Sequence, residues 1–146
     1  MKAVIQRVKK ASVIYKNIKE ETGKGLVVLL GVGKNDTEKD ISWLSEKILN
    51  LRIFAYDKNK FNFSVADVKG DILIVSQFTL YGDCQRGRRP DFTNAAEPEK
   101  ANILYEKFVY ELKKSRLTVK TGKFAADMTV EIHNEGPVTI LMDTER

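Results

Sequence analysis

Asp71-Ile72-Leu73-Ile74-Val75-Ser76-Gln77-Phe78-Thr79 holds an unbroken apolar run of β-favouring residues and then turns polar. A short continuous run of this kind reads as a strand buried on both faces. Leu26-Val27-Val28-Leu29-Leu30 is a second such strand. Outward from these two, residues 2–8 alternate as a strand, with Val4, Gln6 and Val8 on one face and Ala3, Ile5 and Arg7 on the other. Ser12 to Ile18 reads as its hairpin partner. Leu51 to Ala55 and Leu117 to Val119 are candidate short strands, and Asp57 to Ser64 is rich in turn residues. Thr129 to His133 and Val138 to Met142 are the last strands, interrupted by Gly136-Pro137.

Two helices complete the pattern. One starts after Asp36 or Thr37 as N-cap and carries an apolar stripe of Ile41, Leu44, Ile48 and Leu51 at helical spacing. The other opens at Pro98, where a missing N–H costs nothing, with a stripe of Ala101, Leu104, Tyr105, Phe108 and Leu112. Strands in adjacent groups with only two helices predict an α+β fold: antiparallel or mixed sheets forming a barrel-like core, rather than a doubly wound sheet.

The 146-residue length fits a single domain over 1–146 with a core that needs no staples. One cysteine, Cys84, excludes an internal disulfide and fits a reducing compartment. The start of the chain lacks a signal-peptide core, so a cytoplasmic location is expected. Net charge is +5 and the sequence pI about 9.2, compatible with a polyanionic partner without demanding one. Arg86, Arg88 and Arg89 cluster in a Gly/Pro-containing loop after the polar motif. They read either as a solvated loop or as phosphate contacts.

Conventional chemistries are poorly supplied. Gly31-Val32-Gly33-Lys34-Asn35-Asp36 lies between strand and helix, but Asp36 stands where a dinucleotide loop needs glycine and Asn35 where a P-loop needs Ser or Thr. It reads as an ordinary turn. A catalytic triad would have to use the sole histidine, His133, which sits in a strand pattern. Zinc would need more His or Cys ligands than the chain has; a carboxylate-only metal site stays open, though no spacing argues for one, and the expectation is no metal and no cofactor. What remains is a strand end: Ser76, Gln77 and Thr79 side chains, Phe78 as a pocket wall, and N–H groups at Phe78 and Thr79 aimed at a developing oxyanion. The plainer alternative is a polar terminus bonded to its own turn. Gly136-Pro137 reads on its own as a bend, since proline removes a ladder donor.

Ser76-Gln77-Phe78-Thr79 and Asn134-Glu135-Gly136-Pro137-Val138-Thr139 together resemble the D-aminoacyl-tRNA deacylase family. The likeness extends over the chain: Met1–Val8, Ala11-Ser12-Val13, Leu29–Val32, Lys47–Phe54, Gly87–Phe92 and Thr121–Met128. It implies hydrolysis of the ester between an amino acid and the terminal adenosine ribose of aminoacylated tRNA, with release of D-amino acids. It implies a homodimer in which a cis Gly136-Pro137 of one subunit reaches the site of the other and rejects L-residues by clash. Glycine, having no side chain, would pass, making glycyl-tRNA a second substrate. Arg7 would brace the Gly-Pro segment. Ser76 and Gln77 would shape the adenosine pocket, and the Phe78 and Thr79 N–H groups would hold the oxyanion. Water attack aided by the ribose 2′-hydroxyl is favoured over nucleophilic attack by Thr79, which has no visible base. The chain departs from the family pattern at Glu135 for aspartate, at Phe61 for methionine, and in Tyr15-Lys16-Asn17-Ile18, which lacks a turn glycine. The rivals are a non-catalytic RNA-binding protein using the basic loop, and an esterase or amidase acting on small substrates. No membrane or DNA partner is expected.

Overall fold

A computed structural model describes residues 1–56 and 60–145, so the turn-rich reading of 57–64 lies in part, at 57–59, outside the described residues. In chain order the elements are β1 (Lys2–Tyr15), β2 (Ile18–Thr22), β3 (Gly25–Gly31), α1 (Glu38–Asn50), β4 (Asp71–Ser76), a 3-10 turn (Phe78–Tyr81), α2 (Pro98–Lys113), β5 (Val119–Thr121) and β6 (Thr129–Asp143). The sheet order is β2-β1-β3-β4-β5, with β6 on the other side of β1. β1 pairs antiparallel with β2, β3 and β6, whereas β3–β4 and β4–β5 are parallel. The sheet is therefore mixed, and each parallel step is bridged by a helix, as parallel strands require.

The two buried strands divide their side chains between two clusters. Leu26, Val28, Leu30, Ile72 and Ile74 face the helices and meet Ile41, Leu44, Ile48, Leu104, Phe108 and Leu112. Val27, Leu73 and Val75 face the opposite way and are covered by Met128, Val130 and Ile132, so the start of β6 folds over the back of the sheet and gives a barrel-like core. Each of the larger apolar side chains contributes about 1.5–3 kcal/mol by leaving water. All five predicted stripe residues of α2 are buried; in α1 Ile41, Leu44 and Ile48 are buried, while Leu51 caps the C-terminus.

β1 corrects the sequence reading. Residues 2–8 and Ser12 onward are not hairpin partners but one 14-residue strand. Val8 pairs with Asn134 and Lys10 with His133, so β1 gains one residue at Lys9. Such a bulge reverses the parity of the strand. Before it the odd residues Ala3 and Ile5 face the helices; after it the odd residues Ala11 and Val13 face the barrel interior. The true hairpin is β1–β2, closed at Lys16-Asn17 with Lys16 at φ 53°, so the turn forms without glycine. Leu51–Ala55 makes only an isolated bridge, Phe54 to Phe63, and the strand expected at 117–119 is displaced to Val119–Thr121.

Candidate functional site

β4 delivers Ser76 to the end of the sheet beside Leu30, and the Gln77 N–H donates to the Leu30 carbonyl at 2.8 Å. The chain then turns into the 3-10 helix Phe78–Tyr81, held by Leu80 N–H to Gln77 O at 3.3 Å and Gly82 N–H to Thr79 O at 3.0 Å. The first N–H groups of any helix lack an internal acceptor. Among the described residues the Phe78 and Thr79 N–H groups donate to no protein acceptor. The Thr79 hydroxyl accepts from the Gln77 side-chain amide. No carboxylate, imidazole or amine is bonded to it among the described residues. His133 lies opposite Lys10 in the β1–β6 ladder, at a different part of the sheet.

The turn rests on the Gly31–Asp36 connection. A Cβ at Gly31 would sit 3.0 Å from the Gln77 carbonyl oxygen, and one at Gly33 only 2.5 Å from the Tyr81 hydroxyl. These glycines serve close packing and not a phosphate. Asp36 is buried: one carboxylate oxygen accepts from the Met1 ammonium at 2.6 Å, the other from the Gly33 N–H at 2.6 Å and the Tyr81 hydroxyl at 3.4 Å. Burial and the nearby Asp36 charge push the Tyr81 phenol well above its ordinary pKa.

The turn opens onto a cleft of about 660 Å³. Ser76, Gln77 and Phe78 form one wall, Phe92 and Ala101 another, and Phe124 to Met128 a third. Most of the lining is apolar, with Glu97 and Asp127 as the charged members. Phe78 is half-exposed and meets Phe92 edge-on at 5.0 Å between ring centroids. Sequence reasoning missed Phe92, Phe124 and Asp127 as cleft residues, although Ala101 was legible as buried and 121–128 as a family-like run.

The basic loop follows. Asp83 and Asp91 pair by two backbone hydrogen bonds of 2.8 and 2.9 Å and pinch off 84–90. Arg86, Arg88, Arg89 and Cys84 are exposed on it, outside the cleft lining. Asp91 is held by the Thr93 hydroxyl and by its N–H at 2.6 Å, and these bonds keep its carboxyl below the usual aspartate pKa.

Gly136-Pro137 lies elsewhere. Gln6 pairs with Thr139 and Val8 with Asn134, so residues 135–138 are extruded from the ladder opposite Arg7. The Gly136-Pro137 bond is cis, and Gly136 takes φ 127°, a conformation suited to glycine. Arg7 donates through Nε to the Glu135 carbonyl at 3.2 Å and through Nη1 to the Ile53 carbonyl at 2.5 Å, and it pairs with the Glu135 carboxylate at 3.5 Å. Its guanidinium lies 5.7 Å from the Phe61 ring centroid. Neither Gly136 nor Pro137 lines the cleft of its own chain, and β1 and β3 intervene between β6 and β4.

The family described as D-Tyr-tRNA(Tyr) deacylase matches residues 4–143. The chain belongs to this deacylase family. It is 57% identical over its whole length to a D-aminoacyl-tRNA deacylase of Thermosipho melanesiensis, covering 99% of that protein. It is 56% identical to one from Desulfotalea psychrophila and 52% to one from Clostridium botulinum, with the same coverage. A solved structure described as a c-Myc DNA unwinding element binding protein superposes with a TM-score of 0.93 at 42% identity, each chain covered fully. Another, a probable eukaryotic D-amino acid tRNA deacylase, shares the fold with a TM-score of 0.85 at 17% identity over 97% of each chain. The match thus spans both the strand end at Ser76–Thr79 and the extrusion at 135–138. Among the described residues no helix is long and apolar enough to cross a membrane, and no group of three or more His, Cys, Asp or Glu is arranged to hold a metal ion.

Proposed function

We propose that the protein hydrolyses the ester of D-aminoacyl-tRNA, freeing the D-amino acid and the tRNA, and that it also accepts mischarged glycyl-tRNA. The observation that carries this reading is the pair of N–H groups at Phe78 and Thr79, unpartnered among the described residues, on a 3-10 turn whose first residue, Phe78, lines an apolar cleft. An oxyanion formed at the ester carbonyl finds two fixed donors there, and losing one such donor costs about 10²–10³ in rate. The terminal adenosine occupies the cleft beside Ser76, Gln77 and Phe78. Water attacks, and the ribose 2′-hydroxyl assists departure of the adjacent oxygen. Thr79 is the less favoured nucleophile because its hydroxyl is bonded to Gln77 and has no base.

Selection of hand comes from a second copy. Gly136 and Pro137 are absent from their own cleft, and β6 is an edge strand with Leu141 exposed, which supports a homodimer that carries the segment across to the partner. Arg7 holds that segment through Glu135. An L side chain is driven into its backbone; a D side chain or a hydrogen is not. Arg86, Arg88 and Arg89 contact phosphates of the tRNA. The protein works as a single cytoplasmic domain without cofactor or metal.

Parallel hydrolysis of D-tyrosyl-tRNA and L-tyrosyl-tRNA tests this. Loss of the D-ester alone is expected. In Gly136→Ala the added Cβ would lie 2.9 Å from Val138 Cγ2 and 3.2 Å from Arg7 Nη2 at a positive φ, so discrimination should fall. Stability of both esters, at concentrations where tRNA is bound, refutes the reading. One observation favours a second reading: the 42% identical structure is described as a DNA unwinding element binding protein. Salt-sensitive DNA binding without ester cleavage would establish it.

A further inference from the structure

A second, shallower cleft of about 360 Å³ adjoins the first, and Phe124 lines both. Tyr105 and Val109 form its apolar floor. The Tyr105 ring is fixed by its hydroxyl donating to the Ile74 carbonyl at 3.1 Å and lies 5.9 Å from Phe124. The rim is polar. Asn102 and Glu106 stand one helical turn apart on α2, and the Asn102 amide donates to one Glu106 oxygen at 3.3 Å. The other carboxylate oxygen has no partner among the described residues. Lys123 faces them across the cleft from the segment after β5, whose backbone is pinned by Gly122 N–H to Ile74 O at 3.3 Å.

We propose that this cleft seats the nucleotide preceding the terminal adenosine, a reading that rests on the deacylase function. Phe124 is the partition between two adjacent bases, with an apolar face toward each. Every mature tRNA ends in CCA, so the occupant is cytidine. Its edge offers an amino donor beside ring acceptors. The free Glu106 oxygen accepts from the amino group, and the Lys123 ammonium donates to the ring acceptors. Uridine reverses this edge and puts a carbonyl oxygen against the carboxylate. Asn102 orients Glu106.

The test uses D-tyrosyl esters of cytidylyl-adenosine, uridylyl-adenosine and adenosine alone. The wild type should cleave the cytidylyl ester about tenfold faster in kcat/KM than the uridylyl ester, the worth of one good base contact. Glu106→Gln should bring that ratio near one, and Lys123→Ala should raise KM for the cytidylyl ester with little change in kcat, in proteins whose melting matches the wild type. A wild-type ratio near one, or a ratio retained by Glu106→Gln, overturns the proposal while leaving the deacylase reading intact. Cleavage of none of the three esters, beside intact hydrolysis of D-tyrosyl-tRNA, overturns the proposal alone; stability of D-tyrosyl-tRNA as well removes the deacylase reading with it.

Discussion

Gly33→Ala probes the support beneath the Phe78–Thr79 turn. The new Cβ would lie 2.5 Å from the Tyr81 hydroxyl oxygen, 2.7 Å from Cζ and 3.0 Å from Cε1. Tyr81 is buried, so its ring has to move by a sizeable fraction of an ångström against packed neighbours. Overfilling of this kind costs about 1–3 kcal/mol. For a chain of this length that is roughly 2–12 °C in Tm. Tyr81 also ends the 3-10 turn whose start carries the two free N–H groups. A displacement of about 1 Å there can lower turnover by as much as 10²-fold. The assay pairs thermal unfolding with D-tyrosyl-tRNA hydrolysis in Gly33→Ala, Tyr81→Phe and the double variant. Phenylalanine removes the closest atom of the clash, so the double variant should be less damaged than the sum of the singles. Wild-type melting and turnover in Gly33→Ala would refute the reasoning, as would strict additivity.

Asp36→Asn breaks a buried ion pair with the Met1 ammonium and should cost about 3–5 kcal/mol in denaturant unfolding; a loss under about 1 kcal/mol contradicts the role given to Asp36. The Asp91 carboxyl is held low by Thr93, so its contribution to the base of the basic loop is present above the unfolded aspartate pKa of about 3.9 and disappears as pH falls through the lower folded value. Protection of the Asp83 and Asp91 amides, measured against their intrinsic exchange, should therefore hold above about pH 3.9 and fall as pH drops from there through the lower folded value, and Asp91→Asn should abolish that dependence. Replacing Arg86, Arg88 and Arg89 together with alanine should make the salt dependence of tRNA binding shallower, by about 0.7 to 0.9 in log–log slope for each phosphate that is no longer neutralised. An unchanged slope assigns the loop to solvent.

The elements with clean periodicity were legible. The α2 stripe from Ala101 to Leu112 repeats at helical spacing, and every member is buried. The continuous runs Leu26–Leu30 and Ile72–Val75 are strands because both faces of the sheet are covered. Parallel pairing between them leaves no mark on either run, since orientation is set by the crossover through α1. The bulge at Lys9 made one strand look like two: two lysines at the parity change resemble a turn. The Phe78–Tyr81 helix is too short to show a period. Asp36 was legible only as a residue hostile to phosphate, because its ammonium partner stands 35 residues away in the chain. Ser76 to Phe78 were found from their position at a strand end, whereas Phe92 and Phe124 reach the cleft from separate loops that no local pattern connects.

The extrusion of residues 135–138 beyond its own cleft has a genetic consequence. On the two-copy reading, a chain damaged only in the cleft and a chain damaged only at Gly136 are each inactive or indiscriminate alone. Mixed in one cell they form hybrids in which one of the two sites draws an intact cleft from one chain and an intact Gly-Pro segment from the other. Two defective alleles would then complement each other, and a single defective allele would leave hybrids with one working site.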